Sequence, residues 1–154
     1  MEKFDQQDQK ISDLRENIVA LARRFRQSSR TDGETWTQLM VLGAIERAKG
    51  DAMPTQIAAE LELHSSNLAQ VLSNLDARLL IQRDPDSADK RKIRLSLTDT
   101  GLALVRATRS QRDGWLFEAM QTCLSAQERE QLLAAGEIMR RLSLWSQNNS
   151  RSTT

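Results

Sequence analysis

The chain has 154 residues, 39% of them hydrophobic and 28% charged, which is enough apolar material for a core and too much for wholesale disorder. Lys and Arg number 22 against 21 Asp and Glu, a formal charge of +1, so a polybasic, histone-like chain is excluded and any nucleic acid must be met by locally gathered charge. One Cys and one His exclude an intrachain disulfide framework and most protein-built zinc sites.

Helical periodicity dominates from the start. Residues 11–25 place Ile11, Leu14, Ile18, Leu21 and Phe25 at steps of three and four, and this amphipathic helix ends at the turn-rich stretch around Gly33. A second helix is expected from about Glu34 to Ala48, carrying Trp36, Leu39, Met40, Leu42 and Ile45, with Gly50 as its stop. Pro54 opens a short third helix with Ile57, Ala58 and Leu61 on one face. After Glu62-Leu63-His64, Ser65 is expected to cap a fourth helix in which Leu68, Leu72, Leu75 and Leu79 repeat at four, three and four. Two helices, the first short, joined by so brief a connection have helix-turn-helix spacing.

Beyond Leu79 the period changes. Lys92-Ile93-Arg94-Leu95-Ser96-Leu97 alternates polar and apolar residues strictly, as a half-buried strand does. A shorter strand from about Leu80 to Arg83 precedes it, and a polar loop holding Pro85 joins the two: a wing. Thr98 then caps a long helix expected to reach about Cys123, and Ser125 with Glu128 forms a capping-box pattern for a last helix through Leu132, Leu133, Ile138, Met139 and Leu142.

The expected fold is therefore mainly α, a winged helix-turn-helix core over residues 34–98. Residues 1–33 and 99–147 supply a helical dimerisation region, and 148–154 a disordered tail. Apolar stripes at both chain ends exceed what one small core can bury, so an isologous homodimer is expected.

The fourth helix hides its Leu stripe and is expected to show Ser65, Ser66, Asn67, Gln70, Ser73 and Asn74 to a DNA major groove, where Asn and Gln can pair with adenine and Ser with bases or phosphates. The bland alternative is a solvated polar face. From Arg83 to Arg94 there are five positive and three negative side chains, with Lys90, Arg91, Lys92 and Arg94 crowding the wing. Lys90, Arg91 and Lys92 are expected to contact DNA, against the alternative of a solvated hairpin carrying an internal ion pair. The cationic run Arg23, Arg24, Arg26 and Arg30 reads most simply as a helix end favoured by the helix dipole.

In this order and spacing the residues resemble the MarR (multiple antibiotic resistance regulator) family of bacterial transcription regulators over roughly residues 10–145. Arg83-Asp84-Pro85-Asp86, then Asp89-Lys90-Arg91, then Ile93 to Gly101 are similar to the family's wing signature, a D-x-R tip and a strand ending in LTxxG. Thr37-Gln38-Leu39-Met40-Val41-Leu42 resembles the opening of its second helix, and Gln56-Ile57-Ala58-Ala59-Glu60-Leu61 its short helix. Two departures stand out: the family's usual Gly before the first wing strand is replaced at Leu79-Leu80-Ile81, and an Arg in the middle of the recognition helix is replaced by Gln70.

The resemblance implies a cytoplasmic, non-enzymatic, cofactor-free regulator, a homodimer repressing transcription from a pseudo-palindromic operator on double-stranded DNA. It implies that Arg91 enters the minor groove while Asp89 braces the tip. It also implies an effector cleft walled by the first, second and fifth helices. There Trp36 and Met40 offer apolar surface and Arg23 or Arg24 a cation, suited to a small aromatic or phenolic compound. Activation or anti-silencing is not separable from repression by sequence. A winged-helix protein-interaction adaptor is the alternative, and a redox-sensing regulator using Cys123 another. Cys123 is expected to be a packed small residue, His64 a turn residue, and Trp115 and Trp145 dimer core. No apolar run reaches the roughly 20 residues of a membrane span, and MEKFDQQDQK is unlike a signal peptide, so no membrane partner is expected.

Overall fold

The computed structural model describes residues 2–28, 33–86 and 89–145; Arg30 and the expected tail at 148–154 lie outside them. In chain order the elements are α1 (Glu2–Ser28), α2 (Trp36–Arg47), α3 (Pro54–Glu60), α4 (Ser65–Ala77), β1 (Ile81–Pro85), β2 (Ile93–Leu97), α5 (Asp99–Cys123) and α6 (Ala126–Ser143). They divide into two compact units, Met1–Asp113 and Gly114–Thr154.

The helix starts obey local chemistry. The Thr35 hydroxyl accepts the Gln38 N–H at 3.3 Å and Gln38 Oε1 accepts the Thr35 N–H at 2.7 Å, a reciprocal cap that begins α2 at Trp36 instead of Glu34. The capping hydroxyl thus comes from Thr35, two residues before Thr37. Pro54 occupies the first turn of α3 as expected. Ser65 does not cap α4: His64 holds the cap position with no side-chain bond, and Ser65 is already helical. The short turn after α3 places His64, not Ser65, in the extended conformation a cap requires.

In the first unit the core is made by Val41, Leu42 and Ile45 of α2, Ile57 of α3, and Leu68, Leu72 and Leu75 of α4. Leu80, Ile81 and Leu95 of the wing and Val105 of α5 complete it. Strands β1 and β2 pair antiparallel from Ile81↔Leu97 to Pro85↔Ile93, and Ala52 adds a single bridge to Leu95. The first strand therefore starts later and reaches further than expected, and Pro85 ends it instead of sitting in the loop; a strand end tolerates a residue without an N–H. Only Leu95 of β2 is fully buried, and Ile93 is exposed, because β2 covers the core only where it passes α2 and α3.

Among the described residues Lys49, Glu62 and Leu79 are non-glycine residues with positive φ, and Leu79 is the one at the root of the wing. It takes φ +58° at the end of α4, with its side chain exposed. This is the left-handed stop for which glycine is the usual residue.

The second unit holds the end of α5 and all of α6. Ser125 and Glu128 form the expected capping box. The Ser125 backbone N–H and hydroxyl both donate to Glu128, at 2.8 Å each, and hold its carboxyl below the ordinary glutamate value. Cys123 is exposed and not packed as expected, because it sits on the last turn of α5, where the helix ends before α6. Leu133, Ile138, Leu142 and Trp145 are exposed as well; in the first unit the α1 stripe of Ile11, Leu14 and Ile18 is likewise uncovered in the single chain.

Candidate nucleic-acid interface

The Leu68, Leu72 and Leu75 stripe fixes the rotation of α4, because burying it turns the opposite side outward. Ser65, Ser66, Asn67, Gln70, Ser73 and Asn74 are all exposed. Among the described residues the side chains of Ser66, Asn67, Gln70 and Ser73 have no hydrogen-bond partner, so their side-chain polar atoms stand available to an external group. Asn74 differs: its Oδ1 accepts from Nε2 of the buried Gln38 at 2.8 Å.

Two ion pairs hold the end of α4. Arg78, at its C-cap, donates to the Gly33 carbonyl at 3.2 Å and to the buried carboxylate of Glu34. Arg83 of β1 lies 3.2 Å from Asp76. A groove of about 210 Å³ runs between α3 and α4, lined by Pro54, Thr55, Ala58, Ser65, Ala69 and Arg83 among others. Trp36 and Met40 do not line it.

The wing sorts its cations into two kinds. Asp86 is buried, accepts the Asp89 N–H at 2.8 Å and pairs with Arg94, which also pairs with Asp51. Arg94 is therefore a structural cation, although its sequence neighbours made it look like part of the basic tip. At the tip Asp89 Oδ1 accepts from the Arg91 N–H at 3.1 Å and from Arg91 Nε at 3.2 Å. The Arg91 side chain is 92% exposed. Lys90 and Lys92 are exposed and, among the described residues, have no carboxylate partner. Asp86 was missed as a candidate. Its spacing of three from Asp89, suited to a carboxylate accepting a nearby backbone N–H, was the available signal.

Trp36 is half-buried at the start of α2. The guanidinium of Arg26 lies 5.7 Å and that of Arg112 lies 5.6 Å from the ring centre, within cation–π range. These, and not Arg23 or Arg24, are the cations at Trp36. Arg23 and Arg24 are exposed and Arg24 donates to Gln27 at 3.4 Å, whereas Arg26, in the last turn of α1, lies over the Trp36 ring. Met40 is half-buried one turn further along α2. Among the described residues no group of His, Cys, Asp and Glu could hold a metal ion, and no helix is long and apolar enough to cross a membrane.

The model of the MarR family matches residues 32–92, the span from the turn before α2 to the wing tip. A crystal structure of a candidate transcriptional regulator from Pseudomonas aeruginosa is 36% identical, covers 93% of this chain and 99% of its own, and superposes with a TM-score of 0.79. The chain belongs to the MarR family. Further members are similar over less sequence identity or less length. The HTH-type transcriptional repressor MdtR of Bacillus subtilis is 32% identical over 61% of this chain and 63% of its own length. A mutant of MepR from Staphylococcus aureus, solved bound to an oligodeoxyribonucleotide, is 27% identical over 84% of this chain and 93% of its own, with a TM-score of 0.63. This MarR-family chain is a transcriptional regulator with the winged-helix fold, and its relatives are regulators, not enzymes.

Proposed function

We propose that this MarR-family chain is a cytoplasmic repressor that binds a pseudo-palindromic operator on double-stranded DNA as a homodimer. One observation carries the reading: a single unit turns outward both the neutral polar face of α4 and the cationic tip Lys90, Arg91 and Lys92. A helix with uncommitted amides and hydroxyls fits the major groove, and an outstretched arginine fits the concentrated negative potential of a narrow minor groove. The DNA-bound MepR relative and the repressor MdtR support the same direction. On this reading residues 34–98 bind DNA, whereas 1–33 and 99–147 pair the two copies through the exposed stripes of α1 and α6. The test is anisotropy of labelled duplexes across a salt series, together with light scattering. Tight, steeply salt-dependent binding by a particle of about twice 17.5 kDa is expected. A monomer without such binding would instead favour a protein-interaction adaptor.

For control, a small aromatic carboxylate or phenolic effector is proposed at Trp36 and Met40, with Arg26 and Arg112 as its cations. To repress less, the DNA-incompetent arrangement must bind it more tightly; a tenfold loss of operator affinity needs about 1.4 kcal/mol of that difference. Titration of aromatic acids should quench Trp fluorescence and lower operator affinity together, and Trp36→Phe should remove most of the signal. The exposure of Cys123 supports one second reading, thiol-based control. That reading requires peroxide to release DNA from the wild-type chain and not from Cys123→Ser.

A further inference from the structure

Taking α4 as the DNA-facing helix, we propose that Gln38 is a positioning residue that sets the polarity of Asn74, and that Asn74 meets DNA as a hydrogen-bond donor to a phosphate oxygen instead of reading adenine. The chain of bonds has one direction. The Thr35 backbone N–H can only donate, so the Gln38 amide oxygen must face it, at 2.7 Å. Gln38 Nε2 is then turned to Asn74, and an NH₂ group donates, so the atom it meets at 2.8 Å is Asn74 Oδ1. Asn74 Nδ2 is left outside, and among the described residues it has no acceptor.

Reading adenine takes both halves of an Asn amide at once, one accepting and one donating. Turning Oδ1 outward for that purpose would break the bond to Gln38, a buried residue at 7% exposure, and strand a buried donor. A phosphate oxygen only accepts, which suits the donor that remains. Position agrees: Asn74 is the tenth of the 13 residues of α4, and base edges are read mainly from the N-terminal part of a recognition helix.

Gln38→Glu separates polarity from folding. A glutamate oxygen still accepts the Thr35 N–H, so the cap of α2 survives. Its other oxygen cannot donate, so Asn74 must turn Nδ2 inward and present Oδ1 to the phosphate. The experiment uses a duplex selected from a random pool by the wild-type chain, and the same duplex changed at each base pair in turn. Asn74→Ala should weaken binding roughly tenfold, by the same factor on every duplex and with an unchanged salt slope, since no charge is lost from the contact. Gln38→Glu, whose added carboxylate also repels the phosphate, should weaken it by more, again by the same factor on every duplex. Gln38→Glu should still melt cooperatively, at a lower temperature than the wild-type chain because a carboxylate is buried, and be folded at the temperature of the binding assay. In the free wild-type protein, NMR should show slow solvent exchange for the Gln38 side-chain amide and fast exchange for that of Asn74.

Altered preference at one base position in Asn74→Ala would overturn the phosphate assignment. Wild-type affinity in Gln38→Glu, or the reverse exchange pattern, would overturn the polarity. A wild-type chain that binds no duplex removes the DNA reading and the phosphate contact with it, while the exchange pattern still decides the amide polarity by itself.

Discussion

Gly101 and Leu80 meet backbone to backbone: a Cβ on Gly101 would lie 2.0 Å from the Leu80 carbonyl oxygen. That carbonyl also accepts the Thr98 N–H at 3.2 Å, and the Thr98 hydroxyl donates to the Leu79 carbonyl at 2.7 Å. The first turn of α5 is thereby locked to the end of α4 and the root of the wing. Gly101→Ala should destabilise the fold by about 3 kcal/mol, since neither partner is a flexible side chain that could move aside. Urea denaturation measures it, and a loss below about 0.5 kcal/mol would show that the two backbones separate at little cost.

Leu79 carries the opposite lesson. Its φ of +58° strains a leucine, while its side chain is 73% exposed and contributes little burial. Relief of a left-handed non-glycine conformation is worth about 1–2 kcal/mol, and the greater freedom of glycine in the unfolded chain takes back about 0.5–1 kcal/mol. Leu79→Gly should therefore raise stability by roughly 0.5–1 kcal/mol, seen as a higher denaturation midpoint with an unchanged slope.

Arg91 and Arg94 stand three residues apart and should fail differently. Arg91→Ala removes an exposed side chain whose partner, among the described residues, is Asp89. The melting temperature should barely move while operator affinity falls at least roughly tenfold, about 1.4 kcal/mol. Arg94→Ala removes the guanidinium from buried Asp86 and should cost about 2 kcal/mol of stability, less than for a fully buried pair because Arg94 is partly solvated. Thermal melts and anisotropy on both variants check this, and equal stability losses would refute the division of the wing.

Glu128 gives a pH signature in the second unit. Its carboxyl is held down by the Ser125 backbone N–H first and by the Ser125 hydroxyl second. A depressed folded value means that the capping contribution is present above the unfolded value, about 4.3, and is lost as pH falls through the folded one. Carbon-detected NMR titration should place the Glu128 midpoint below the ordinary glutamate range. A midpoint at or above it would mean that the cap is open in solution.

What the sequence by itself determined are the features set by neighbours a few residues apart. The leucine period of α4, Pro54 at the start of α3, the Ser125–Glu128 cap and the alternation around Leu95 are of this kind, since helix period, capping and strand pleat need only local chain geometry. The candidate DNA face followed, because burying Leu68, Leu72 and Leu75 dictates which residues of α4 turn outward. Only the tertiary structure decided which polar groups were already spoken for. The Gln38–Asn74 bond spans 36 positions, the Arg78–Glu34 pair 44 and the Arg109–Glu46 pair 63. Arg94 looked like a wing-tip cation until packing brought it to Asp86 and Asp51, and Arg26 replaced Arg23 and Arg24 at Trp36 because of where α1 meets α2. Such pairings depend on how elements dock, and a hydrogen bond or ion pair across two elements leaves no periodic trace in either.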